Sequence, residues 1–226
     1  MGGILERWVV VRLGTCAAVF LAWLLSGCAT KSDAFDLAEN ERLFLPPAFV
    51  ATVSADRPLF VGPVVDARTP VTIVEASGPY PTYWMPDSTW DRPLGPMLHD
   101  CLTESLRRSK VASRVDVQAP PAREAVLLEV SLVEGRAGQE EREFGRRSLA
   151  SVGLRVVVRG PADADGTRAV LLEETFEQTV GTEVEPRPLR VPAVFGLALR
   201  QVLTRVVARL DAGNFTRTGL TDQGVR

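Results

Sequence analysis

ASVGLRVVVRGPADADGTRAVLLEETFEQTV, residues 150–180, decides the fold. Val152, Leu154, Val156 and Val158 alternate onto one side while Arg155 and Arg159 take the other, the two-residue period of a half-buried strand. PADADGT, 161–167, then supplies proline, aspartates and glycine, which favour turns through a fixed φ, side-chain hydrogen bonds to the backbone and freedom at positive φ. Beyond it Val170, Leu172, Phe176 and Val180 share a side interrupted by Glu174. The spacing predicts a β-hairpin over 145–180, and its one solvated face implies antiparallel pairing.

Working outward, AVLLEVSLVEG (125–135) repeats the alternation with Val126, Leu128, Val130 and Leu132. GRAGQEEREFGRR (135–147) mixes charge signs and is expected to be a solvated hairpin tip, with a docking patch as the alternative. SRVDVQ (113–118) reads as a short strand, and RPLFVGPVVDAR (57–68) as a first strand, interrupted by proline and therefore expected at an edge. Two segments have the helical period instead. In DRPLGPMLHDCLTESLRRSK (91–110), Leu94, Met97, Leu98, Cys101, Leu102 and Leu106 form one stripe, Asp91 is placed to cap the start, and Arg107, Arg108 and Lys110 suit the negative end of the dipole. In PAVFGLALRQVLTRVVARLDAG (192–213), Phe195, Leu199, Val202, Val206 and Leu210 do the same between an opening proline and a closing glycine. Two such helices cannot bury themselves. The expected fold is α+β, an α/β sandwich in which a mostly antiparallel sheet carries both amphipathic helices on one face.

The N-terminus speaks to location. Arg7 and Arg12 precede an apolar run from Leu13 to Leu25, which is too short to span a bilayer core of about 30 Å but suits a secretory signal. It ends in Leu25-Ser26-Gly27-Cys28, the pattern of bacterial lipoprotein signals. The resemblance implies cleavage before Cys28 and acylation there, and several acyl chains anchor firmly where one is marginal. Ala29 after the cysteine is the pattern of outer-membrane sorting in enteric-type bacteria. The expected organisation is a signal peptide at 1–27, a lipidated tether at 28–56, one domain at 57–213 and a flexible tail at 214–226. Cys16 leaves with the signal and Cys28 carries lipid, so Cys101 alone remains a thiol and no intrachain disulfide forms. The full chain has 26 Lys and Arg against 28 Asp and Glu, a near-neutral balance without a basic block, which argues against a nucleic-acid partner.

Little catalytic chemistry is visible. The one histidine, His99, lies beside the apolar stripe of its helix. As a general base it would pair with Asp100 or Glu104; as a surface histidine it would be solvated, the weightier reading. Cys101 falls on the stripe and points away from His99, since residues two apart on a helix do not face each other. No nucleophile elbow, phosphate loop, dinucleotide fingerprint or zinc-ligand spacing occurs, so neither enzyme, cofactor nor metal is expected.

The remaining signal is aromatic. SGPYPTYWMPDSTWDRPLG (77–95) holds both tyrosines, Tyr80 and Tyr83, and two of the four tryptophans, Trp84 and Trp90. Glycine and proline argue against regular structure here. Such rings gather at interfaces, and they also serve as lids over a sheet edge; both readings stand. Trp90, beside the helix start, is expected to pack, and Tyr80, Tyr83 and Trp84 are the stronger candidates for partner contact.

Trp90-Asp91-Arg92-Pro93-Leu94 running into an amphipathic helix resembles the W-x-x-P-L helix entry of the auxiliary lipoproteins of ABC-type transport systems, the PqiC/YmbA group. Lipobox, short strand, this helix, a strand pair, FEQTV (176–180) and the closing helix follow in the same order over roughly 57–212. The resemblance implies an α/β sandwich, an outer-membrane anchor facing the periplasm, and protein partners among ABC transporter and MCE-domain components that move phospholipid. GPVVDARTP, with its Asp66-x-Arg68, is closer to the strand ends of other envelope lipoproteins of similar fold. The expected function is therefore a non-enzymatic, membrane-anchored accessory of envelope phospholipid transport. The alternatives are an accessory of cell-wall synthesis or of a secretion complex, and an envelope hydrolase.

Overall fold

Three long strands carry the architecture: β6 (Val126–Arg142), β7 (Gly145–Ala162) and β8 (Arg168–Gly181), joined as an antiparallel meander. The computed structural model describes residues 50–51, 55–76, 78–118, 121–185 and 190–216, all within the unit Phe35–Arg226. The signal segment, Cys28 and most of the tether lie outside the described residues. The 145–180 hairpin forms as its period demands. At its turn Asp163 Oδ1 accepts from the amides of Asp165 and Thr167 at 3.0 and 2.8 Å, and Gly166 takes a positive φ of 84° that a side chain would resist.

The inward set is continuous across the ladder. Leu128 faces Val158, Val130 faces Val156 and Leu132 faces Leu154, and all six are buried. A bulge between Leu132 and Glu134 shifts the register. It reverses the parity of β6, so the inward positions become Gly135 and Ala137, opposite Val152 and Ala150. The outward face is polar and cross-linked, with Arg159 Nε 2.9 Å from Glu129 and Ser151 Oγ 3.2 Å from Thr179 Oγ1.

The other edge of β6 is covered in series by short strands. β1 (Leu59–Val61) pairs in parallel with its start, β2 (Val65–Asp66) with its middle, and β4 (Thr82–Trp84) antiparallel with its far end. β3 (Val74–Glu75) extends β4, and β5 (Val115–Asp116) pairs in parallel with β1. The result is a mixed, unclosed eight-stranded sheet in an α+β fold. β1 is not the edge strand its proline implied. Pro63 ends it after three residues, all buried, with β5 paired on one side and β6 on the other.

Both helices lie against one face of this sheet. α1 (Leu94–Ser109) buries the predicted stripe, with Met97, Cys101 and Leu106 at 0% exposure. Its N-cap is Pro93, with no side-chain cap, so Asp91 does not serve as one. The buried hydroxyls of Ser105 and Ser109 bond back to the carbonyls of Cys101 and Leu106 at 2.8 and 2.9 Å, which removes the cost of enclosing them. α2 (Val191–Gly213) is long and apolar enough to cross a membrane. Its stripe of Phe195, Ala198, Leu199 and Val202 is nevertheless spent on the core, chiefly against β7 and β8, which is why it is so apolar. Trp90 joins the two helices, its ring 4.9 Å from that of Phe195.

The packed region exceeds 57–213. The Ala51 amide bonds the Ser109 carbonyl at 2.7 Å, and those of Asp56 and Arg57 bond the Thr216 carbonyl. Thr216, expected in a flexible tail, is buried and donates its hydroxyl to the Val111 carbonyl at 2.6 Å.

Candidate functional site

The far end of the sheet, where β4 meets β6 and the β6–β7 hairpin turns, gathers the residues singled out by the sequence. β4 can approach because Gly138 carries no side chain: a Cβ there would collide with the Tyr83 carbonyl oxygen and the Trp84 ring. Thr82, Tyr83 and Trp84 accordingly pair with Glu140, Gln139 and Gly138. The segment expected to be irregular thus contains a strand and a 3-10 turn at Asp87–Thr89.

Alternation within β4 separates the aromatics. Thr82 and Trp84 are buried, whereas Tyr83 is 44% exposed. Trp84 Nε1 donates to Glu75 Oε2 at 2.9 Å. The Arg136 guanidinium lies 4.6 Å from the indole centroid and itself donates to Glu75 at 3.1 Å. Trp84 is therefore packed on the outward face of the sheet, contrary to its expected place among the open contact residues. Trp90 is packed in the core, as expected. Tyr80 is half-buried with Arg142 5.2 Å from its ring. Of the four, Tyr83 offers the most free surface.

The stretch 135–147 is ladder almost throughout, and only Glu143 and Phe144 turn the corner. Its mixed charges pair across the strands. Glu140, nearly buried, accepts from Arg142 Nη2 at 2.7 Å and from Arg147. Burial alone would raise the Glu140 carboxyl, but Arg147 and Arg142 outweigh it and hold it below its ordinary value. Phe144 at the turn is 82% exposed. Ile73, Val74, Tyr83 and Val184 are also exposed near this end, and Val50, Val65, Val170 and Leu197 are exposed elsewhere. The sequence signal for Phe144 is a lone aromatic among charges, within the stretch expected to be a solvated tip with a docking patch as the alternative.

A second feature fixes this end in place. The Arg68 side chain, 8% exposed, donates to Asp66 through Nε and Nη2 at 2.8 and 2.7 Å, to Asp87 through Nη1 and Nη2 at 3.1 and 3.0 Å, and to the Gly135 carbonyl at 2.6 Å. All five guanidinium donors are thereby used. The side-chain bond from Arg68 holds the Asp66 carboxyl below its ordinary value. Asp66-x-Arg68 is thus a clamp tying the end of β2 to the 3-10 turn and to the bulge of β6.

His99 lies elsewhere, on α1. Its Nδ1 is 3.7 Å from Asp100 Oδ1; Asp100 also accepts from Arg92 at 3.1 Å, and Glu104 is held by Arg108 at 2.8 Å. Cys101 faces the core. Among the described residues no group of three His, Cys, Asp or Glu side chains is arranged to hold a metal ion.

No known protein family and no curated protein matches the sequence. Among solved structures the chain is similar to a Xanthomonas campestris protein described as belonging to DUF330, at 16% identity and a TM-score of 0.44, covering 76% of this chain and 89% of that one. A hypothetical protein from Chlamydia trachomatis is similar at 12% identity and a TM-score of 0.43, covering 71% of this chain and 98% of that one.

Proposed function

We propose that this chain is a lipid-anchored docking module of the bacterial envelope. It is acylated at Cys28, held at the outer membrane facing the periplasm, and serves as an accessory of a phospholipid transport system without catalysing a reaction. The observation that carries the reading is the molecule's polarity. The described chain begins at Val50 and Ala51; the Ala51 amide bonds the last turn of α1 beside Val115, and Val115 and Val126, at the start of β6, both pair with Leu59. Tyr83 and Phe144 sit at the opposite end of β6, about 50 Å along its 17 residues. An anchor at one end and exposed aromatic side chains at the other let the bilayer fix the domain's location and present its contact surface away from the lipid. Confinement raises the effective concentration for a partner in the same envelope, so modest contacts suffice.

A photo-reactive residue at Phe144 or Tyr83, with Val170 on β8 as reference, tests this in native cells. Crosslinks from the first two positions to an MCE-domain or ABC transporter component are expected. Crosslinks to a cell-wall synthase or secretion component would replace the partner while keeping the docking role, and equal capture from Val170 would remove the docking end. Mass spectrometry of residue 28 checks the anchor separately, and an unmodified thiol there would refute it.

A further inference from the structure

The end opposite the aromatics holds a groove with a cationic rim. Where α1 stops, a hollow of about 720 Å³ opens between the last turn of the helix, the start of β5 and the incoming chain at Val50 and Ala51. Arg107, Lys110 and Arg114 line it together with apolar surface from Val50, Ala51 and Val115, and no carboxylate is among its described lining residues. All three cations are exposed. Arg114 is drawn to one side by Asp116 at 2.9 Å. The left-handed turn at Lys110, φ 55°, stops the helix so that its side chain and that of Arg107 flank the same opening. A neighbouring hollow of about 480 Å³ shares Arg107, Arg114 and Val115, reaches towards Phe60 and is also lined by Asp116, the ion-pair partner of Arg114.

We infer that this groove is a second membrane contact: an anionic phospholipid surface against which Arg107, Lys110 and Arg114 lie, with the exposed Val50 reaching the acyl boundary. The inference rests on the anchoring proposed above, because the occupant follows from position. The described chain begins at Val50 and Ala51 in this groove, so an anchor at Cys28 brings these cations within reach of the headgroups. Charge complementarity and the mixed cationic and apolar lining then favour lipid phosphate over a protein surface. One acylated cysteine fixes the chain to the bilayer without fixing its orientation. Three cations on one rim stand the long axis of the sheet away from the bilayer and point Tyr83 and Phe144 into the periplasm.

The test uses the chain isolated from its native membrane, with a fluorophore at Ser113→Cys in the groove or at Phe144→Cys at the far end; Cys101 is buried and protected. It is placed in vesicles of phosphatidylcholine, with or without phosphatidylglycerol, that carry a headgroup quencher. Quenching at position 113 on anionic vesicles only, with position 144 unquenched, is the expected result. Replacing Arg107, Lys110 and Arg114 together by alanine should shift the docked-to-free ratio by about a hundredfold, at roughly fivefold per cation. Equal quenching on neutral and anionic vesicles, or quenching indifferent to the triple substitution, overturns the inference. Sedimentation separates the two claims. A chain that ignores neutral vesicles has no lipid anchor, yet sedimentation with anionic vesicles that the triple substitution abolishes still upholds the cationic face. Sedimentation with neither overturns both.

Discussion

Trp84→Ala and Tyr83→Ala, neighbouring substitutions on a three-residue strand, should behave oppositely. Trp84 is 9% exposed, and a tryptophan encloses on the order of 200 Å², which at about 25 cal/mol per Å² is roughly 5 kcal/mol of transfer free energy. Part survives the substitution. The ring rests on the outward face of the sheet under Arg136 and Glu75, which can fall inward and admit water, and the two remain paired at 3.1 Å so that no charge is orphaned. The lower end of the range for large-to-alanine changes, about 3 kcal/mol, is the expected cost and includes the lost cation–π contact. For a domain of this size that is a fall in melting temperature of roughly 6–12 °C. Tyr83, half in solvent, should cost about 1 kcal/mol or less. Thermal melts by circular dichroism and urea midpoints on both variants decide the matter. A Trp84→Ala chain melting within a degree of its parent, or a Tyr83→Ala chain falling as far as Trp84→Ala, would refute the division of this strand into a packed and an open face.

Gly138→Val should force β4 off β6, at about 1–3 kcal/mol for overpacking, and hydrogen exchange should then accelerate at the Met85 and Glu141 amides, which bond the Ala137 and Pro81 carbonyls across that seam. Asp66 and Glu140 have depressed carboxyl pKa values, so each contributes stability that is fully present above the unfolded value near about 4 and is lost as pH falls through its lower folded value. Urea midpoints should therefore hold from neutrality to about pH 4 and drop below it, with a shallower drop in Glu140→Gln; an unchanged acid slope in that variant would contradict the assignment. Phe144→Ser should leave the melting temperature within about 1 °C, since the ring is 82% exposed, while weakening partner capture about tenfold, as loss of an aromatic anchor does.

What could be read from the sequence followed from periodicity. Leu154, Val156 and Val158 repeat every two residues over a span long enough to exclude a helix, and the α1 and α2 stripes repeat every three or four, so the sheet, both helices and their shared face were legible. The failures came where the period is too short or is reset. β4 is three residues between Pro81 and Pro86, and its existence depends on Gly138, distant in sequence. β1 is also three residues long, and its interior position depends on parallel neighbours that no local pattern names. The bulge before Glu134 resets the parity of β6, so Ala137 rather than a residue in step with Leu132 faces the core. Charge in 135–147 points to a solvated tip, which holds at Glu143 and Phe144, while the pairing of the rest is written in the order of its charges. Glu140 and Glu141 on one side of the turn stand opposite Arg147 and Arg146 on the other, the arrangement an antiparallel ladder requires for opposite charges to meet.

The same ladder also makes the sheet stiff along its length. A single strand edge would flex, and a flexible rod cannot fix the position of one end relative to the other. β6 is paired along nearly its whole length by β7 on one side and by β1, β2 and β4 in turn on the other. Each break in that second edge is tied by something else: Gly62 bonds the Leu128 carbonyl, Ala67 bonds that of Leu132, and Arg68 spans the gap between β2 and β4 with its five donors. The clamp therefore lies where the rod would otherwise bend. It couples the two ends of β6, as the proposed docking role requires.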